Sequence, residues 1–148
     1  MAVQRGRRHN RAMHDTQPAR PGNSMATQWL LNIGHAIDHM FLLIFATAVT
    51  SIAADFGFAR WEDLMPYGVA AFFFFGIGSL PSGRLGDHWG RRKMMTVFFF
   101  GMGAAALLVS VTQTPLQMAL ALALLGCFAS IYHPVGIPML VQNSVRPA

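Results

Sequence analysis

Apolar residues along the chain fall into four long blocks: Trp29 to Ala53, Leu64 to Leu80, Met94 to Val111 and Leu116 to Val141. About 20 apolar residues in a helix rising ~1.5 Å each cross ~30 Å of hydrocarbon. The pattern therefore predicts four transmembrane helices, at about 29–53, 64–80, 94–111 and 116–141, the second of which is near the lower length limit. No block carries the polar face that a surface helix of a soluble bundle needs. The expected fold class is thus an all-α membrane protein. Polar segments separate the blocks: a short loop from Asp55 to Asp63, a glycine-rich charged loop from Ser82 to Lys93, and the tight turn Thr112-Gln113-Thr114-Pro115. Pro115 suits the first turn of the helix that follows it. Residues 1–24 have no hydrophobic period and are expected to be a disordered tail.

Composition agrees with a chain whose solvent is partly lipid. Of its 148 residues, 53% are hydrophobic and only 11% charged, with a mean hydropathy of +0.40; soluble domains are roughly 25% charged. The net charge of +5 raises the question of nucleic acid. The arginines instead flank the apolar blocks, where they set topology, so no nucleic-acid partner is expected. The tail carries five arginines against Asp15, the first loop Arg60 against Asp55, Glu62 and Asp63, and the second loop Arg84, Arg91, Arg92 and Lys93 against Asp87. The third loop is uncharged, and Arg146 follows the last block. Positive segments concentrate on the inner side of membranes. The expectation is a multi-pass protein of the cell (inner or plasma) membrane, with both termini and the second loop cytoplasmic. Arg5, Arg7, Arg8 and Arg11 precede a full-length span rather than a cleavable targeting segment, and Met25 is an alternative start. The single cysteine, Cys127, lies in an apolar run and reads as a packing residue.

The most specific motif is Gly83-Arg84-Leu85-Gly86-Asp87-His88-Trp89-Gly90-Arg91-Arg92. Gly83 and Gly86 allow another helix to approach closely, and Gly90 permits a turn that other residues resist. Asp87 can pair with an arginine or a helix N-terminus, while Arg91, Arg92 and Lys93 anchor the third span. The segment resembles the G-x-L-x-D-x-x-G-R-R/K signature that major facilitator transporters carry between their second and third helices, through Gly83, Leu85, Asp87, Gly90, Arg91 and Arg92. The resemblance implies a conformational latch between the two halves of such a transporter in its outward-facing state. It also implies that the four spans correspond to the first four of twelve helices, making residues 25–148 part of an N-terminal domain.

Ionisable groups inside a span are costly, roughly 2.5–3.5 kcal/mol each on insertion scales, and call for a function. His35, Asp38 and His39 share one face of the first span, with Asn32 near the same stripe. Histidine titrates near neutral pH, and carboxylates in low-dielectric cavities can be moved toward the same range. Asp38 is the leading candidate for proton coupling, with His35 as helper and His39 beside it; a hydrogen-bonded structural cluster is the bland alternative. Two histidines and a carboxylate on one helix fall short of a metal site, so no metal or cofactor is expected. In the fourth span Pro134 removes a backbone donor near Ser130, and Pro138 repeats the interruption. Kinked helices often line transporter paths, which places Tyr132 and His133 along the substrate route. His35 with Asp38, and Gly126-x-x-x-Ser130-x-x-His133-Pro134, resemble the fosmidomycin-resistance-type branch, which implies proton-driven efflux.

Gly76-x-Gly78 and Gly101-x-Gly103 are expected to serve helix packing, and the Phe72–Phe75 and Phe98–Phe100 runs lipid contact and packing. The leading reading is a secondary transporter of a small organic solute, with the lipid bilayer and a small-molecule substrate as partners. On the resemblance, this chain is an N-terminal part expected to be inactive without the missing C-terminal half or a second membrane chain. A stand-alone four-helix interaction protein acting through oligomerisation is the alternative. With neither a nucleophile nor a complete metal site, an enzyme is not expected.

Overall fold

A computed structural model describes residues 24–142. The expected tail, apart from Ser24, and Arg146 lie outside the described residues. The first helix, α1, runs from Met25 to Asp55. Ser24 caps it, its hydroxyl accepting the Thr27 N–H at 3.3 Å. Leu31, Gly34, Asp38, Leu42, Phe45, Val49 and Ala53 are buried along α1 at helical spacing, so a carboxylate sits within an otherwise apolar inner stripe. Asp38 is 13 residues from Met25 and 17 from Asp55, near the middle of the helix.

The second span differs from its expected form at both ends. It opens with two 3-10 turns, Trp61–Asp63 and Met65–Gly68, around the fully buried Leu64. Pro66, lacking an N–H, sits in the first turn of the second of these. Regular helix, α2, then spans Val69–Trp89. The segment expected as a loop from Ser82 to Lys93 is therefore helical up to Trp89, and α3, Arg91–Ser110, starts after one intervening residue. Glycine costs a helix only about 1 kcal/mol, less than leaving backbone groups unpaired beside lipid. Gly83 and Gly86 thus do not end the helix. Gly90 does, with φ at +92°, a conformation that L side chains resist.

The turn before the fourth span forms as expected. Thr114 accepts the Gln117 N–H at 3.2 Å, Gln117 Oε1 accepts the Gln113 N–H at 2.9 Å, and Pro115 opens α4, Pro115–Ala129. The fourth span then widens into a π-helical turn, Tyr132–Gly136, before a short α5, Ile137–Gln142. Pro134 is absorbed by this wider turn, in which the Ile137 N–H reaches the Tyr132 carbonyl. Pro138 falls in the first turn of α5, directly after the π turn.

Four helical stretches, Met25–Asp55, Trp61–Trp89, Arg91–Ser110 and Pro115–Val141, are long and apolar enough to cross a membrane. The fourth is the central one, with 56% of its most apolar window buried against 17–28% for the others. It packs on α2 through small residues. A Cβ on Gly126 would collide with the Ala71 backbone carbonyl, and one on Gly78 would lie 2.5 Å from the Ser130 hydroxyl. Ser82 and Ser130 share a buried hydrogen bond of 3.2 Å. On the α3 side, Gly101 receives the Phe128 ring. Gly76 and Gly103 have nothing close, so only one glycine of each pair serves packing. Large apolar side chains such as Leu80, 79% exposed, and Phe100, 78% exposed, point outward; for a lipid-facing surface that is the favourable arrangement.

Candidate functional site

The ionisable groups of α1 meet the π-helical turn of the fourth span. Asp38 has no exposed surface, and His133 Nε2 lies 3.7 Å from its Oδ2. Neither Asp38 oxygen nor His133 Nε2 has a hydrogen-bond partner. His35 and His39, one turn apart on α1, bring their Nε2 atoms to 3.0 Å. Their rings lie 5.4 and 5.5 Å from the His133 ring, centre to centre. Tyr132 is fully buried and stacks parallel to His35 at 5.0 Å. Its hydroxyl donates to the Leu31 carbonyl at 2.5 Å, tying the fourth span to α1.

Local structure explains why these groups converge. Residues three and four apart share a helix face, which aligns His35, Asp38 and His39. Gly34, on the same face, carries no Cβ; one placed there would lie 2.9 Å from the Phe99 ring and 3.4 Å from that of Tyr132. The π turn then presents Tyr132 and His133 together, with the edge of Phe75 5.4 Å from His133. Burial alternates with access: Asp38 is enclosed, His35 and His133 are half-buried, and His39 is exposed. A path of ionisable atoms thus runs from the surface of the bundle to its interior.

All five residues expected along the proton and substrate path, Asp38, His35, His39, Tyr132 and His133, form this one cluster. Asn32 does not join it; its side chain is exposed and donates to the Gln28 carbonyl at 3.0 Å. Phe75 and the carbonyl of Leu31 belong to the site and were not among the expected residues. Neither carries a signal in the sequence: Phe75 sits in an apolar run, and every residue has a backbone carbonyl.

The Gly83–Arg92 segment, expected as a latch, lies at the end of α2 and the start of α3. Gly86 faces Val135 and Gly83 faces Pro134, with Cβ positions 2.8 and 3.3 Å from those side chains. Leu85 packs against the larger apolar cluster. Asp87, 78% exposed, has a carboxylate oxygen 3.9 Å from the Arg91 guanidinium across the Gly90 break. Arg92 is exposed. The π turn therefore meets both neighbours: Pro134 and Val135 lie against Gly83 and Gly86 of α2, while His133 reaches Asp38 of α1 and also the Phe75 ring of α2.

Four lipid-length helices, with ionisable groups enclosed among them, define a polytopic membrane protein. The profile of the Major Facilitator Superfamily matches residues 31–146, and the chain belongs to that superfamily of transporters. Comparison with curated proteins and with solved structures finds no match.

Proposed function

We propose that the chain serves proton-coupled transport of a small organic solute, with Asp38 as the proton carrier. One observation carries this reading: a carboxylate enclosed near the middle of a lipid-length helix, with no hydrogen bond and an imidazole 3.7 Å away. An ionised carboxylate in such a place is expensive unless it is neutralised by a proton or a partner. His133 is the imidazole beside it, and through His133 the cluster continues to His35 and the exposed His39. The widened turn beside Pro134 gives the fourth span a point at which to flex as the path opens and closes.

The export direction rests on the resemblance of His35, Asp38 and the Gly126–Pro134 segment to fosmidomycin-resistance-type exporters. The charge pattern supports a cell-membrane location with both termini and the Gly83–Arg92 segment cytoplasmic. In this proposal Asp87 and Arg91, with Gly90 between them, form the latch that engages a facing set of helices. That set comes from the rest of a longer transporter or from a second membrane chain. The exposed Asp87 supports a partner of this kind.

Membrane vesicles from cells carrying the wild-type gene or Asp38→Asn test the proposal. Under an imposed pH gradient, wild-type vesicles are expected to accumulate a solute chosen from a screened panel. Asp38→Asn vesicles should lose that accumulation yet retain gradient-independent exchange. Equal gradient-driven accumulation in both removes Asp38 from the coupling.

A further inference from the structure

The histidine cluster has a composition that proton transfer does not require. One ligand nitrogen from each of His35, His39 and His133 lies within 4.8 Å of the others. His35 and His39 stand at i and i+4 on α1, a spacing by which two imidazoles on one helix face grip a single metal ion. The third imidazole arrives from a segment almost a hundred residues later, which is why two histidines on one helix fell short of a site in the sequence. Three nitrogens bound to one ion at ~2.0–2.1 Å in a tetrahedral arrangement are about 3.3 Å apart. The His35–His39 pair is already at 3.0 Å. Closing the remaining separation takes a small rotation of side chains that are only half-buried or exposed.

A second observation points to a cation. Asp38 is fully enclosed, and both its oxygens and the adjacent His133 Nε2 lack hydrogen bonds. Among the described residues, the ion-pair partner of Asp38 is a histidine rather than an arginine or lysine. An ion held by the three imidazoles would set positive charge beside that carboxylate and occupy the lone pairs of the rings. A carboxylate behind a metal-bound imidazole is a common supporting arrangement. The donor set also selects the kind of ion. Imidazole nitrogens favour zinc, cobalt, nickel and copper over calcium or magnesium, which take oxygen ligands. Exposed His39 offers the entry side.

We propose that His35, His39 and His133 bind one divalent first-row transition-metal ion, with Asp38 as the anionic group beside it. The site stands independently of which solute moves and in which direction, because it concerns binding alone. Metal and proton occupy the same imidazole lone pairs, so the ion competes with the proton path rather than forming part of it.

The test uses the full chain, purified without a polyhistidine tag and stripped with a chelator. Zinc binding is followed by calorimetry and cobalt binding by visible absorption. Wild type is expected to bind one ion per chain and to give the intense d–d bands of a low-coordinate cobalt site. His35→Ala, His39→Ala and His133→Ala should each weaken binding at least about tenfold. His39 is exposed, so its replacement leaves the packing in place, and thermal unfolding without metal checks this directly. His88→Ala and the joint His9→Ala, His14→Ala change remove the other three of the six histidines and should leave binding unaltered. Absence of saturable binding, or binding that survives the three cluster substitutions, overturns the proposal. So does binding lost only with His9 and His14.

Discussion

Asp38 and Tyr132 divide the site between function and stability. The Tyr132 hydroxyl joins two spans through the Leu31 carbonyl at 2.5 Å. A typical net hydrogen bond is worth ~1 kcal/mol, so Tyr132→Phe is expected to destabilise the detergent-solubilised protein by about that amount while keeping the ring stack on His35. An unchanged unfolding midpoint would mean that the hydroxyl tie contributes nothing. Asp38 should behave in the opposite sense. It is buried without a hydrogen bond, so Asp38→Asn, which removes the charge at nearly constant volume, is expected to leave the unfolding temperature unchanged or raise it. A marked fall would identify Asp38 as a structural support instead. Both residues could be picked from the sequence because polar groups inside apolar blocks stand out. Their partners could not: the contact between His133 and Asp38 joins positions 95 residues apart, and no local periodicity reports it.

Two glycines show how the helical elements are held, each by a different constraint. Gly90 has open space around it but a φ of +92°, so the backbone is what excludes other residues. Gly90→Ala is expected to cost about 1–3 kcal/mol through strain at the α2–α3 junction. Gly126 has ordinary helical backbone but faces the Ala71 carbonyl, so space is what excludes other residues. Gly126→Ala should push α4 from α2 at a cost of about 1–3 kcal/mol, whereas Gly76→Ala, with nothing within 4 Å, should be neutral or mildly stabilising. Thermal unfolding of the three variants checks the ranking; a Gly76→Ala as damaging as Gly126→Ala would contradict it. The existence and type of the elements were readable from apolar block length alone. Their joints were less so. Charged, glycine-rich residues 82–89 look like a loop, yet backbone pairing keeps them helical. Pro134 signals an interruption without revealing that it takes the form of a π turn.

At the scale of the whole molecule, a central fourth span links a latch contact with α2 to an ionisable contact with α1. Tyr132 and His133 reach α1, and Pro134 and Val135 lie against the glycines of α2, all within a single π turn. In the proposed transporter, a movement at Gly83 and Gly86 would have a short mechanical route through this turn to Asp38. Membership of the superfamily was legible in the Gly83–Arg92 signature, while the meeting of His133 with Asp38 needed the fold. In the proposed mechanism Asp38 takes up and releases a proton within the spans. Infrared difference spectra of the metal-free protein between acid and alkaline pH test it without knowledge of the substrate. A protonated-carboxyl C=O band that changes with pH is expected in wild type and should be lost in Asp38→Asn. Identical difference spectra from the two proteins would contradict it.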